Sequence, residues 1–259
     1  MIDITNAKKE LAKYVKNYDI NDKKIKLKVM HIERTAQIAR QIAENLKLEK
    51  EDIELAELIG LLHDIGRFEQ IKRYHTFNDG KSINHGVLGT KILFEEGLIR
   101  KFIEDDKYDE IIKKSILNHN RNKKDIETSN ERELLHTKII RDADKADILY
   151  VLTFEEKVVA WEKEDLSEEK ITDEIYREFM EDKFIDYKKR ETAIDLLVCH
   201  FAYIFDLNFK YGLQKIKKEK YLEKIYNRFE FKDNKTKERM KNIYNMTSTY
   251  IDTCIKEEI

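Results

Sequence analysis

The sequence predicts an all-α protein, and three observations carry that prediction. The chain has 259 residues with no proline and only 7 glycines, so its elements should be long and its turns few. Its apolar residues recur mostly at spacings of three or four, the period of a helix with one buried face. Charged residues make up 39% of the chain, above the usual share of about a quarter, and the two signs alternate as they do on solvated helix faces. The length allows one large core, or a core with an appendage.

In chain order, residues 5–17 read as a short amphipathic helix on Leu11, Tyr14 and Val15. Asn21-Asp22 then offers a turn or cap, and a second helix follows over 24–48 on Val29, Ile32, Ala36, Ala39, Ile42, Ala43 and Leu46. A third helix starts at Glu51-Asp52, acids that favour its N-terminal dipole, and ends at Gly66. Residues 67–84 read as a long polar connection, a length that is usually functional beside a site. Helices over 84–96, 108–119 and 131–149 come next, with 121–130 a polar loop. Further on, Phe154, Val158, Val159 and Trp161 are expected in the core, and Ser167 as an N-cap. Helices follow over 171–188 and 190–211, where His200 and Cys199 read as core residues, and two more over 219–257. Without repeats or a flexible linker, 1–150 is expected to be one helical core, and 151–259 a helical extension packed on it within a single folding unit.

The centre of this arrangement is Leu61-Leu62-His63-Asp64-Ile65-Gly66-Arg67, a ligand pair at the end of an apolar run. A His-Asp dipeptide alone is common, and a lone His31 near an apolar stripe would read as a satisfied core histidine. In combination they say more. His31, His63-Asp64, His85, His119 and Asp144 fall on five separate predicted helices, each near an inward face. Asp144 has isoleucines one turn away on both sides, Ile140 and Ile148, and a carboxylate buried there needs a partner such as a metal ion. Imidazoles with carboxylates suit Mn, Fe, Co, Ni or Zn.

The order and spacing resemble the HD-domain superfamily of metal-dependent phosphohydrolases, over roughly residues 25–150. The motifs that carry the resemblance are Leu61–Gly66, Asn84-His85-Gly86 and Arg141-Asp142-Ala143-Asp144-Lys145-Ala146-Asp147. The resemblance implies an HD-type helical bundle in which His31, His63, Asp64 and Asp144 hold one metal. With His85 and His119 added, it implies a second ion bridged by Asp64; with a single ion, those two histidines would contact substrate phosphate instead. The implied activity is hydrolysis of a phosphate ester or phosphoanhydride, in a nucleotide, by a metal-activated water that Asp64 orients. Arg67 and Lys145 are either grips for non-bridging oxygens or ordinary surface cations. His75 and Lys81, in the connection before His85, either meet the substrate or are solvated loop residues. The chain lacks the Gly-Tyr-Pro signature of the cyclic di-guanylate phosphodiesterases of this superfamily.

Other classes fit less well. A non-catalytic nucleotide-binding regulator has no need of every ligand, while an HD-type di-iron oxygenase uses a similar set. Lys and Arg (50) nearly balance Asp and Glu (52), and no basic stripe with interleaved aromatics marks a nucleic-acid surface. Cys199 and Cys254 form no Cys-x-x-Cys pair, and no apolar run approaches the ~20 residues that span a bilayer. A small phosphorylated partner, no membrane and a cytoplasmic setting are the expectation.

Overall fold

The framework of the site is the crossing of two helices, α2 (Lys23–Asn45) and α3 (Lys50–Leu62). Their backbones come unusually close at Gly60, where a Cβ would stand 2.5 Å from the Cα of Ala36. In this computed structural model, residues 2–126, 128, 130–157, 163, 165–183 and 185–256 are described. Among them the fold is all-α, without a strand. Val158, Val159 and Trp161 lie outside the described residues. The chain divides into two compact units, Met1–Asp147 and Ile148–Ile259, each with its own apolar core.

In the first unit, α1 (Ile4–Val15) is capped by Asp3 and buries Ala7, Leu11 and Val15. Asp22 caps α2 by accepting from the amide of Lys24. Beyond α3 the chain departs from the expected long connection. Gly66 does not end a helix: Asp64, at φ −105° and ψ 15°, breaks the path for a single residue, and α4 (Ile65–Tyr74) starts at once. Ile65, Phe68 and Ile71 supply its buried face, a three-residue recurrence masked by the polar residues between them. Gly66 is instead a point of contact. A Cβ there would stand 2.3 Å from the carbonyl oxygen of His85 and 2.6 Å from the nitrogen of Gly89, so α4 lies directly against α5 (His85–Thr90).

Asn84 caps α5, accepting from the amide of Val87, and so fixes His85 as its first residue. A π-helical turn over Lys91–Glu95 continues it. The short α6 (Ile99–Phe102) leads to α7 (Asp109–Asn118). The long α8 (Glu131–Phe154) then carries Asp144 and Asp147. Its C-terminal turn belongs to the second unit, where Phe154 is 52% exposed rather than in the core.

The second unit continues with α9 (Asp173–Asp182), α10 (Ala193–Ala202), α11 (Lys210–Lys218), α12 (Tyr221–Tyr226) and α13 (Asn234–Lys256). Ser167 caps no helix: it sits in a turn bound to Asp165, and Thr172 is the residue that caps α9. Cys199 and His200 are buried on α10. Among the described residues no helix is long and apolar enough to cross a membrane.

The close approach at Gly66 gives a direct test. Gly66→Ala must push α5 away or distort α4, and overpacking of this kind costs about 1–3 kcal/mol. Urea unfolding should show that loss. An unchanged midpoint would mean that the α4–α5 contact yields without strain.

Candidate metal centre

Six side chains predicted from the sequence converge in the first unit. His31 comes from the third turn of α2, His63 and Asp64 from the α3–α4 junction, and His85 from the start of α5. His119 caps the C-terminus of α7, and Asp144 lies within α8. All six are buried. Their donor atoms fall into overlapping groups compact enough for an ion: His31, His63 and Asp64; His63, His119 and Asp144; Asp64, His85 and His119.

The two oxygens of Asp64 face different neighbours. Oδ2 lies 3.4 Å from His31 Nε2 and 3.7 Å from His63 Nε2. Asp144 Oδ1 is on that side too, 3.1 Å from His31 Nε2 and 3.7 Å from His63 Nε2. Oδ1 of Asp64 lies 3.3 Å from His85 Nε2 and 3.9 Å from His119 Nε2.

The far side of every imidazole is occupied. His63 Nδ1 donates to the carbonyl of Gly60 (2.8 Å) and His119 Nδ1 to that of Ile116 (2.6 Å). A carbonyl can only accept, so the ring hydrogen of each is on Nδ1. His31 Nδ1 donates to Asp147 Oδ2 and His85 Nδ1 to Asp79 Oδ2, both at 2.7 Å. In the neutral rings all four Nε2 atoms therefore present lone pairs inward, the arrangement by which outer hydrogen bonds fix the tautomer of metal-ligating histidines.

Charge sharpens this picture. Burial, reinforced by the Arg67 guanidinium, lowers the pKa of His85; burial with His85 and His63 alongside holds His119 well below its ordinary value. Both rings are then neutral, yet their Nε2 atoms stand 2.9 Å apart. Asp64 Oδ1 beside them is buried and accepts no hydrogen bond, even from Arg67 Nε at 3.5 Å. Three acceptors thus meet with no hydrogen between them. A cation resolves that conflict, and the nitrogen and carboxylate donors fit a borderline transition ion.

The other side handles its charge differently. Burial and the nearby Lys28 both disfavour a proton on His31, but Asp144, Asp147 and Asp64 outweigh them and raise its pKa to about 10. Burial would also raise the two carboxyls; instead Lys28 and the imidazoles hold Asp64 well below the usual range, and His31 and His63 do the same for Asp144. A ring held in its protonated form in this way would have to lose that proton before it could bind an ion.

Several contributors were not singled out from the sequence. Asp147 and Asp79 are the carboxylates behind His31 and His85, and Arg34 clamps Asp147 through Nε at 2.6 Å. Lys28 Nζ lies 2.6 Å from Asp64 Oδ2. The spacing Lys28, His31, Arg34 (one helix face) and the pair Asp144, Asp147 were the available signals. Arg141, in the quoted motif, is fully buried and donates to the carbonyls of Asn118 and Arg121, closing the turn after His119.

The expected substrate residues fare unevenly. Arg67 is tied down, Nη1 donating to Asp79 Oδ1 (2.9 Å), Gln70 Oε1 and the carbonyl of Phe77. It braces the loop that carries Asp79. Lys145 is buried directly after Asp144. His75, in the left-handed conformation at the end of α4, and Lys81 are exposed and stand outside the ligand groups.

Two outcomes follow. Metal loading should release protons at neutral pH, because His31 must lose its proton to bind. Affinity should accordingly rise with pH until about 10. Calorimetry in buffers of different ionisation enthalpy checks this, and no proton release at pH 7 would contradict the His31 assignment. Separately, Asp79→Asn and Asp147→Asn should each weaken metal binding by about 10–100-fold with helix content kept. Unaltered affinity would mean that the imidazoles need no outer carboxylate.

Neither the curated proteins nor the solved structures yield a match to the chain. The family model of the HD domain matches residues 29–149, a span that contains all six converging residues. Residues 29–149 are thus an HD domain, a domain whose superfamily consists in general of metal-dependent phosphohydrolases.

Proposed function

We propose that this protein hydrolyses a phosphate ester or phosphoanhydride, in a nucleotide, using two divalent ions held by His31, His63, Asp64, His85, His119 and Asp144. The observation that carries the reading is the division of Asp64: one oxygen faces His31 and His63, the other faces His85 and His119. That division favours two ions over one. The choice of a nucleotide rests on the resemblance to the family.

The charge balance supports a phosphoryl substrate. The carboxylates Asp64, Asp79, Asp144 and Asp147 already stand beside the cations Lys28, Arg34 and Arg67, with Lys145 buried directly after Asp144. Divalent ions added to that set would leave a positive surplus, which suits a phosphoryl dianion.

Bound divalent ions supply Lewis acidity, lowering the pKa of a coordinated water from about 15.7 to about 7 and neutralising phosphoryl charge. The chain does the rest. Asp64, kept ionised, retains both oxygens as acceptors, so it can orient a water as well as hold ions. The fixed Nδ1 hydrogens keep the imidazoles from turning away. Lys145 is assigned to non-bridging oxygens, and Arg67 to holding the Asp79 loop in place. His75 and Lys81 are assigned to the substrate approach along residues 75–84.

Metal content of the purified protein comes first, then phosphate release from nucleotides and p-nitrophenyl phosphate with Mn²⁺ added. About two ions per chain together with phosphate release is the expected result. Two ions without turnover, and with oxygen uptake on a carbon substrate, would replace hydrolysis by oxygenase chemistry. Asp64→Ala should lose metal and at least about a hundredfold in activity, a loss larger than outer positions give, with circular dichroism nearly unchanged. Retained turnover in that variant would end the assignment.

A further inference from the structure

Lys28 has no role in holding the ligand histidines, yet its ammonium sits against the central carboxylate. Nζ lies 2.6 Å from Asp64 Oδ2, the oxygen that also faces His31 and His63. The Lys28 side chain is only 14% exposed. It is one turn before His31 on α2, and Lys24 is one turn before it, so the three residues form a row along one helix face.

That row meets an aromatic ring. Phe77, on the connection that carries Asp79, has Lys28 Nζ 5.2 Å and Lys24 Nζ 5.9 Å from its centroid, with the Arg67 guanidinium carbon at 5.5 Å. Lys24 Nζ also donates to the carbonyl of His75 at 3.1 Å. A ring face attracts a cation, but three cations around one ring repel each other. Arg67 offsets its charge with Asp79, and Lys28 offsets its own with Asp64.

The partner of Lys28 is the very oxygen a divalent ion would take. An ammonium and a divalent ion on one carboxylate oxygen repel, and a mostly buried ammonium cannot be left without an anion. Its four-carbon stem lets it move while the backbone of α2 stays in place. We propose that Lys28 is a specificity residue with two successive partners: Asp64 in the metal-free centre, and the phosphoryl oxygens of the substrate once Asp64 is committed to metal. The second half rests on the phosphohydrolase reading; the first does not. Lys28 is thereby a resident counter-ion that makes metal binding weaker and phosphate binding stronger.

The two effects have opposite signs, which separates them from simple structural damage. Metal-stripped wild type, Lys28→Met and Lys28→Arg are titrated with Mn²⁺ by calorimetry, and the loaded proteins are then titrated with inorganic phosphate. Lys28→Met should bind Mn²⁺ at least about threefold more tightly, since a competing charge is gone. It should bind phosphate at least about tenfold more weakly, the loss of a charge-assisted hydrogen bond. Lys28→Arg should restore both affinities toward wild type. Lys24→Met, whose ammonium is bound to the carbonyl of His75, should leave the Mn²⁺ affinity unchanged.

Equal or weaker Mn²⁺ binding by Lys28→Met overturns the exchange on Asp64. Phosphate affinity unchanged in that variant overturns the second partner. Failure of loaded wild type to bind phosphate at all would count against the phosphohydrolase reading and the second partner together. The Mn²⁺ comparison would still decide the first.

Discussion

The structure depends on keeping one carboxylate, Asp64, charged while only 2% exposed. An isolated ion in that position is costly, and its surroundings consist of what makes it tolerable. Lys28 meets one oxygen, imidazole nitrogens approach both, and the other oxygen is left without a hydrogen-bond donor. The α3–α4 junction serves this requirement. By breaking the helix for a single residue, it places Asp64 between two rigid segments without the slack of a loop.

The histidines follow the same logic one layer further out. Two are held by backbone carbonyls three residues earlier in their own helices, Gly60 and Ile116, so their orientation comes with the helix itself. The other two rely on carboxylates distant in sequence, Asp147 and Asp79. Each of those carboxylates has an arginine behind it, Arg34 or Arg67. No thiolate takes part: both cysteines belong to the second unit, Cys199 within its core.

Much of this was legible in the sequence, for physical reasons. α2, α3, α5, α7 and α8 announce themselves through apolar periodicity, and the six converging residues through their positions on or at the ends of those helices. What escaped depends on distance in space. Residues 65–74 look polar because α4 buries a narrow stripe around Phe68, and Gly66 looks like a terminator although its missing side chain is what admits α5. Asp79 reads as a turn residue until the fold returns it to His85, across six positions of loop. Arg67 reads as a free grip until Asp79 and the Phe77 carbonyl claim it. Lys28 gives only its spacing from His31 on α2, easily lost in a chain so rich in lysine.

The two histidine pairs stand on unlike foundations. His31 and His63 are rooted in helices of 23 and 13 residues whose backbones touch at Gly60. His85 opens a helix of six residues, and its outer carboxylate hangs on a connection with exposed members. Local opening draws on the least packed segments first. Loosening of the centre would accordingly begin at His85 and the loop of Asp79 behind it, while His31 and His63 keep their places on the crossed helices.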